Sequence, residues 1–222
     1  MPEAADSPNV LLICTDHWSG LNTRPAGHPA VITPTIEQLA RNGVSFRNAY
    51  SACPSCVPAR RTLMTGMTAR SHGDRVYTNG MPMPDVPTMA DCFSDGGYQT
   101  FAVGKLHVSP QRDRIGFDDV LLEEQGRHQF DGKADDYELF LQERGHAGQE
   151  YAGGMCHNDF IARPWHLDEY EHPINWATRE MCKTIRRRDP RKPGFWYLSF
   201  SSPHPPMTPL QAYLDLYRHV EI

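Results

Sequence analysis

Cys56 begins the segment of this chain whose residue types and spacing are best suited to chemistry. The segment reads Cys56-Val57-Pro58-Ala59-Arg60. Because proline is favoured in the first turn of a helix, Pro58 predicts a helix that begins at Cys56. The positive end of a helix dipole attracts anions and makes a thiol more reactive. The sequence therefore predicts a reactive cysteine at an anion-binding position.

Two other interpretations of Cys56 compete with this one. An isolated cysteine is most often a buried thiol that serves only in packing. Cys53 and Cys56 also form a C-x-x-C pair, which is the spacing of thiol oxidoreductases and of half a zinc site. A structural zinc site needs a second pair of ligands, and the chain has no second C-x-x-C, which disfavours that interpretation.

Three short apolar runs have the composition of buried strands, at residues 10–14, 98–103 and 195–200. Such runs are typical of strands that are covered on both faces in a parallel sheet. Other patterns lie between them: helices at 34–42 and 89–95, capped by Thr33 and Thr88, an extended segment at 44–50, and a helix at 174–188. This alternation predicts an α/β fold with a largely parallel sheet flanked by helices.

Polar residues directly follow each predicted strand. Asp16 follows the first strand, Lys105 and His107 the second, and His204 the third. Because ligands bind beyond the carboxyl ends of parallel strands, we expect these four side chains to meet at one edge of the sheet. Alternate residues of an extended segment share one face, so Lys105 and His107 are expected to reach the same ligand. The helix that begins at Cys56 would face this edge.

The stretch 109–172 has weaker periodicity, with acidic pairs at 118–119, 123–124 and 135–136 and one helical pattern at 137–144. We interpret it as a variable excursion that shapes access to the site. His72 and Asn79 are expected at the rim of the pocket, whereas Arg61 is expected to be solvated. The remaining histidines, including His157, are expected at surface or packing positions. No repeat or low-complexity linker divides the chain.

The composition is that of an ordinary globular protein, with 39% hydrophobic and 22% charged residues in a chain of 222. A formal charge of −5 provides no basic field, which argues against nucleic acid as a partner. Residues 1–7 lack an apolar core, and no apolar run is long enough to cross a bilayer. We therefore expect a cytoplasmic protein without a membrane partner, whose cysteines are reduced and, apart from the reactive one, buried.

The segment around Cys56 resembles the signature of the modified cysteine in sulfatases, in which Leu63, Thr65 and Gly66 follow the C-x-P-x-R motif. Further blocks extend the resemblance, in the family's order, over almost the whole chain: Pro8-Asn9-Val10-Leu11-Leu12-Ile13, Thr33-Pro34-Thr35-Ile36, Gly43-Val44-Ser45-Phe46, Gly97-Tyr98-Gln99-Thr100, Gly104-Lys105-Leu106-His107 and Ser202-Pro203-His204-Pro205-Pro206. The resemblance implies the alkaline-phosphatase-like fold of that superfamily and a small-molecule sulfate ester as substrate.

In sulfatases the cysteine of this motif is oxidised to formylglycine, so the resemblance implies that modification of Cys56 and a formylglycine-generating enzyme as a partner. The hydrated aldehyde attacks the sulfur of the ester while it is bound to metal, and its second hydroxyl then expels sulfate. The resemblance assigns Arg60 to holding this nucleophile and Lys105 to binding sulfate oxygens. It assigns His107 to removing a proton from the gem-diol and His204 to contacting sulfate and protonating the leaving alcohol.

Asp16 and the modified Cys56 are the metal-binding positions that the resemblance implies. A carboxylate suits Ca²⁺, with Mg²⁺ or Mn²⁺ as alternatives. Many sulfatases have a second acidic residue at the next position, where this chain has His17. We treat His17 as a candidate ligand that would move the preference toward transition metals, with a packing histidine as the alternative.

Complete sulfatases are commonly much longer, and their second half supplies further metal ligands, another lysine and a smaller domain. We therefore interpret residues 1–222 as the amino-terminal, apparently truncated part of a sulfatase-like catalytic domain. An exposed apolar surface would then favour self-association or pairing with the missing half. Three functions remain open: a sulfate ester hydrolase, a phosphonate or phosphate ester hydrolase of the same superfamily, and a non-catalytic module that binds an anion.

Overall fold

The computed structural model describes residues 7–78, 80–125, 134–152 and 154–221, so Asn79 lies outside the described residues. Its strands are β1 Val10–Thr15, β2 Gln99–Gly104, β3 Asp119–Leu122 and β4 Gly194–Phe200. They form one parallel sheet in the order β1–β4–β2–β3. The helices are α1 Pro34–Asn42, α2 Cys56–Thr65, α3 Ala69–His72, α4 Met89–Asp95, α5 Asp136–Glu143, α6 Pro173–Arg186 and α7 Gln211–Tyr217.

The sheet is covered by helices on both faces. Along β4, Phe195 and Tyr197 pack in one apolar cluster, whereas Trp196 and Leu198 pack in another, because successive side chains of a strand point to opposite faces. The first cluster includes residues of α2 and α4, and the second includes residues of α5 and α6. The predicted parallel α/β fold flanked by helices is confirmed.

The carboxyl end of β2 lies unusually close to β4 at Gly104. The φ angle of Gly104 is 100°, and a Cβ at this position would collide with the carbonyl oxygen of Ser199. Glycine permits both the left-handed backbone and the close approach without strain. The next backbone N–H, that of Lys105, donates to the same carbonyl at 2.9 Å. This contact positions the segment that carries Lys105 and His107.

The helix-start signals are confirmed in part. Thr88 caps α4 through a capping box, in which its side chain accepts the N–H of Asp91 while the Asp91 carboxylate accepts the N–H of Thr88. Thr33 precedes α1 but does not cap it, because its hydroxyl instead accepts the N–H of Arg24 at 3.1 Å. The helical patterns at 137–144 and 174–188 correspond to α5 and α6.

The prediction that the first strand is covered on both faces is wrong. Leu11 and Ile13 are 48% and 52% exposed. The reason is that β1 packs on one face only: Val10 and Leu12 lie against the first apolar cluster, whereas the second cluster includes no residue of this edge strand. Residues 44–50 do not form a strand either, and their apolar side chains are largely exposed.

The cysteines are less buried than expected. All six are free thiols; Cys53 is buried and Cys14 and Cys56 are half-buried, but three are exposed: Cys92, Cys156 and Cys182. The sequence patterns do not predict strand β3 or helices α3 and α7, which have four, four and seven residues. The longest described helix, α6, has 14 residues, and none of the described helices has the length and apolar character needed to span a membrane.

Candidate active site

A buried ion pair joins the carboxyl ends of β1 and β2. Nζ of Lys105 lies 2.6 Å from Oδ2 of Asp16, and both side chains are buried. Burial opposes ionisation of the Asp16 carboxyl, but the charges of Lys105 and Arg60 together outweigh it and hold the pKa of Asp16 below its usual range. Asp16 is therefore ionised at neutral pH, with two cations beside it.

The guanidinium of Arg60 connects α2 to the ends of β2 and β4. Arg60 is 6% exposed, and its Nη2 lies 3.6 Å from Oδ2 of Asp16. Its Nη1 donates to three oxygens, the backbone carbonyl of Lys105 at 2.6 Å, Oγ of Ser199 at 2.7 Å and the hydroxyl of Tyr197 at 3.0 Å. Because Arg60 and Cys56 are four residues apart on one helix face, these bonds also hold the start of α2 in place.

Cys56 is the first residue of α2, as the position of Pro58 predicts. The positive end of the α2 dipole therefore lies at this thiol. Cys56, Asp16 and Arg60 line a common cavity of about 560 Å³. The structure thus brings the predicted nucleophile position, the acidic residue and the predicted arginine to one cavity.

Among the described residues, one group of three acidic, cysteine or histidine side chains brings its possible metal-ligand atoms close together. It consists of Asp16, Cys56 and His107. These atoms all lie within 4.8 Å of one another. A carboxylate, an imidazole and, after conversion of the thiol, an oxygen of formylglycine are suitable ligands for a divalent cation. The group fits one side of such a cation, since Ca²⁺ takes about six to eight ligands.

His17 does not belong to this group. Its side chain is exposed, and its ring lies 4.3 Å from the ring of His204, measured between centroids. Metal binding by His17 therefore stays a prediction, and in the described structure the histidine grouped with Asp16 and Cys56 is His107.

His107 reaches the site through a turn, so the expectation of an extended segment is wrong. Its φ angle is 65°, in the left-handed region, and residues 105–107 follow the end of β2. Oε1 of Glu124 stabilises the turn by accepting the backbone N–H groups of Leu106 and His107, both at 2.8 Å. The N–H of Glu124 in turn donates to Asp135 at 2.6 Å.

Gln125 is a further site residue that the sequence analysis misses. Its Oε1 accepts a hydrogen bond from Nζ of Lys105 at 2.8 Å, and its Nε2 lies 3.5 Å from Nδ1 of His204. Gln125 thus lies between the two predicted basic residues. The acidic pair 123–124 marks this segment in the sequence, but its position depends on β3, which the sequence patterns do not predict.

His204 is buried, and its hydrogen bond defines its tautomer. Nδ1 lies 2.7 Å from the backbone oxygen of Pro205. Because a carbonyl can only accept, Nδ1 carries the proton and Nε2 holds the lone pair of the neutral ring. Burial, followed by the charge of Lys105, lowers the pKa of His204 to about 4. The ring is therefore neutral at neutral pH.

Two expectations about neighbouring basic residues are wrong. Arg61 is 4% exposed because its side chain packs between α2 and the following loop. It contacts Oδ2 of Asp74 at 3.4 Å and donates to the backbone carbonyls of Met81 at 2.8 Å and Pro82 at 2.5 Å. His72 is 8% exposed and pairs with Oγ1 of Thr62 at 3.0 Å, so it supports α2 and does not line a rim.

Comparison with known proteins decides the family. The family profile described as Sulfatase matches residues 8–221. The chain belongs to the sulfatase family. An arylsulfatase of Clostridium perfringens is 36% identical to this chain over 226 residues, which cover 97% of the chain and 47% of that relative. A choline-sulfatase of Rhizobium meliloti is 27% identical over 219 residues, with coverages of 96% and 42%.

Solved structures agree with this assignment. The phosphonate monoester hydrolase of Agrobacterium radiobacter superposes on this chain with a TM-score of 0.72 at 26% identity, covering 95% of the chain and 44% of that structure. The alkaline-phosphatase-like fold is confirmed. The chain spans about half the length of the curated relatives it matches.

Proposed function

We propose that this sulfatase hydrolyses small-molecule sulfate esters, with Cys56 as the precursor of a formylglycine nucleophile. The observation that carries the proposal is the buried ion pair of Lys105 with Asp16, a residue that lines the same cavity as Cys56, with Arg60 as a second cation. Cations in a water-poor site stabilise the charge that develops on sulfate oxygens in the transition state. The relationship to an arylsulfatase supports the same reaction class.

The proposed metal is Ca²⁺, with Mg²⁺ or Mn²⁺ as alternatives, held by Asp16 and the modified Cys56 with His107 adjacent. When bound, it would supply positive charge that polarises the ester and favours ionisation of the hydroxyl nucleophile. Lys105, oriented by Asp16 and Gln125, presents its charge to the sulfate oxygens.

The two histidines divide the proton transfers. His107 takes a proton from the hydroxyl nucleophile formed at Cys56, because a ring nitrogen of His107 lies within 4.8 Å of the Cys56 sulfur. His204 must first gain a proton at Nε2, and the negative charge of a bound sulfate offsets the burial that lowers the pKa of this ring. The imidazolium then donates that proton to the leaving alcohol.

The test combines intact mass with turnover. The complete protein is co-expressed with a formylglycine-generating enzyme, and the peptide that contains Cys56 is expected to lose the mass that separates CH₂SH from CHO. The converted protein is expected to hydrolyse 4-nitrophenyl sulfate. Cys56→Ala is expected to abolish both the mass change and the hydrolysis. Cys53→Ser is the matched control, because conversion at Cys56 does not require a C-x-x-C pair. Full conversion without hydrolysis of any sulfate ester would contradict the proposal.

A second candidate is hydrolysis of phosphonate or phosphate esters. His17 in place of a second acidic residue and the similarity to a phosphonate monoester hydrolase favour it. Rates for sulfate and phosphonate monoesters of the same alcohol discriminate between the two candidates. A folded, converted protein that turns over neither ester but binds inorganic sulfate would instead be a non-catalytic anion-binding module.

A further inference from the structure

A series of three imidazole rings lies along the wall of the cavity near Cys56. The ring of His157 stacks on that of His204, with 5.3 Å between centroids and an interplanar angle of 17°. The ring of His17 contacts the same His204 ring at 4.3 Å and 41°. His157 belongs to the 109–172 excursion, and neither its position nor its spacing in the sequence marks it as a site residue.

Backbone hydrogen bonds hold the His157 loop beside the segment that follows His204. Residues 161–165 run next to residues 207–209 through three bonds, from Met207 N–H to Ile161 O at 2.9 Å, from Arg163 N–H to Met207 O at 3.0 Å and from Trp165 N–H to Pro209 O at 2.9 Å. Within the loop, the Asp159 carboxylate accepts the N–H of Cys156 at 2.6 Å, and Asn158 has a left-handed φ of 72°. The fold itself therefore places His157 against His204.

The three rings line a cavity of about 300 Å³ together with Cys56, Tyr77 and Asn158. Cys56 forms part of the wall of this space and of the larger cavity that Asp16 and Arg60 line, so an ester whose sulfate lies at Cys56 beside these two residues can extend its organic group toward the three rings. The volume is at the small end of the range for ligand sites and suits a single ring. None of the described residues that line the cavity is a lysine, arginine, aspartate or glutamate. This space therefore offers an organic group aromatic and imidazole rings and none of the four charged side-chain types among its described lining residues.

We infer that His157 is a specificity-determining residue of this sulfatase, which contacts the ring of an uncharged aromatic alcohol as the leaving group. Imidazole and phenol rings at the wall favour a planar aromatic ligand, because such rings gain from offset stacking beyond the area they bury. The inference rests on the proposed function for the position of the sulfate. It assigns to His157 a contact with the organic group and none with the reacting sulfur.

Binding to protein that cannot turn over tests the inference. The complete protein carrying Cys56→Ala is compared with the same protein carrying also His157→Ala or His157→Phe, by calorimetry with 4-nitrophenyl sulfate and with inorganic sulfate. His157→Ala is expected to weaken 4-nitrophenyl sulfate about tenfold, the effect of losing one ring stack, and to leave inorganic sulfate within about twofold. His157→Phe is expected to restore most of the affinity, because it keeps a flat ring.

Equal weakening of both ligands would overturn the inference, since it would show that His157 only supports the loop and His204. Unchanged affinity for 4-nitrophenyl sulfate in His157→Ala would overturn it as well. Turnover is a separate readout. Protein with Cys56 converted to formylglycine that hydrolyses no sulfate ester would contradict the proposed function. The binding difference between 4-nitrophenyl sulfate and inorganic sulfate would still test the role of His157 independently.

Discussion

Nη1 of Arg60 lies 2.6 Å from the backbone oxygen of Lys105, so a single side chain ties the helix that begins at Cys56 to the end of β2. The same guanidinium donates to Tyr197 and Ser199 on β4. The position of Cys56 relative to the buried ion pair therefore depends on a residue one helical turn later. This relationship is a physical reason for an arginine at that spacing, because a planar guanidinium can donate in several directions at once.

Replacing Arg60 by lysine tests how much this network contributes. Arg60→Lys is expected to lower the free energy of unfolding by about 2–4 kcal/mol, because one ammonium nitrogen cannot both bond the three buried oxygens that Nη1 reaches and contact Asp16 as Nη2 does. Urea denaturation measures the change. Arg41→Lys is the control, since the Arg41 side chain is 75% exposed and pairs only with Glu37 among the described ion pairs. A loss no larger than that of the control would show that the network does not hold α2.

Gly104→Ala is expected to be strongly destabilising. Its φ of 100° disfavours any side chain, and its new Cβ would collide with the backbone of Ser199, so we expect a loss of about 2–4 kcal/mol. Gly145→Ala is a matched control, because φ is 83° there but a Cβ would meet open space. The control is expected to cost about 1 kcal/mol, from backbone strain alone. Equal losses in thermal or urea unfolding would argue against the collision.

Stability is expected to fall as pH rises through the titration of Glu123. Burial raises the pKa of this carboxyl from 4.5 to about 7, although its hydrogen bond with Ser201 and the charge of Lys105 oppose the shift. Between these two values the folded protein keeps a proton that the unfolded chain has released, so the free energy of unfolding decreases with rising pH. Glu123→Gln removes this linkage.

Melting temperatures of the wild type and of Glu123→Gln between about pH 4.5 and 8 measure the effect. As pH rises across this range, the melting temperature of Glu123→Gln is expected to increase relative to that of the wild type. Glu143→Gln, at an exposed position of α5, is expected to run parallel to the wild type. A Glu123→Gln curve that is also parallel would mean that Glu123 does not hold a proton in the folded state.

A divalent cation is expected to raise the melting temperature of the complete protein through Asp16. A ligand that binds only the folded state stabilises it by mass action, so titration with Ca²⁺, Mg²⁺ and Mn²⁺ ranks the three candidates, and a chelator reverses the shift. Asp16→Asn is expected to abolish the shift, because it removes the ionised carboxylate of the cluster. Asp85→Asn, at an exposed position, is expected to keep it. An undiminished response in Asp16→Asn would place the cation elsewhere.

The amino-acid sequence by itself determined the parallel α/β fold, the start of α2 at Cys56, and the meeting of Asp16, Lys105 and His204 at one sheet edge. These features follow from signals a few residues long, such as apolar runs, a proline in a first helical turn and glycines at helix ends. One general rule then joins them, because the carboxyl ends of parallel strands lie on the same side of the sheet. Each step uses only neighbouring residues and a known topology.

The tertiary structure alone decided the rest of the site. Gln125 meets Lys105 across 20 residues and His204 across 79, and His157 stacks on His204 through a loop of the excursion. The turn at His107 depends on a carboxylate, Glu124, that follows a strand of four residues. No local pattern encodes such contacts, because they depend on how the excursion packs against the sheet edge. The exposure of Leu11 and Ile13 likewise depends on which apolar cluster extends to β1.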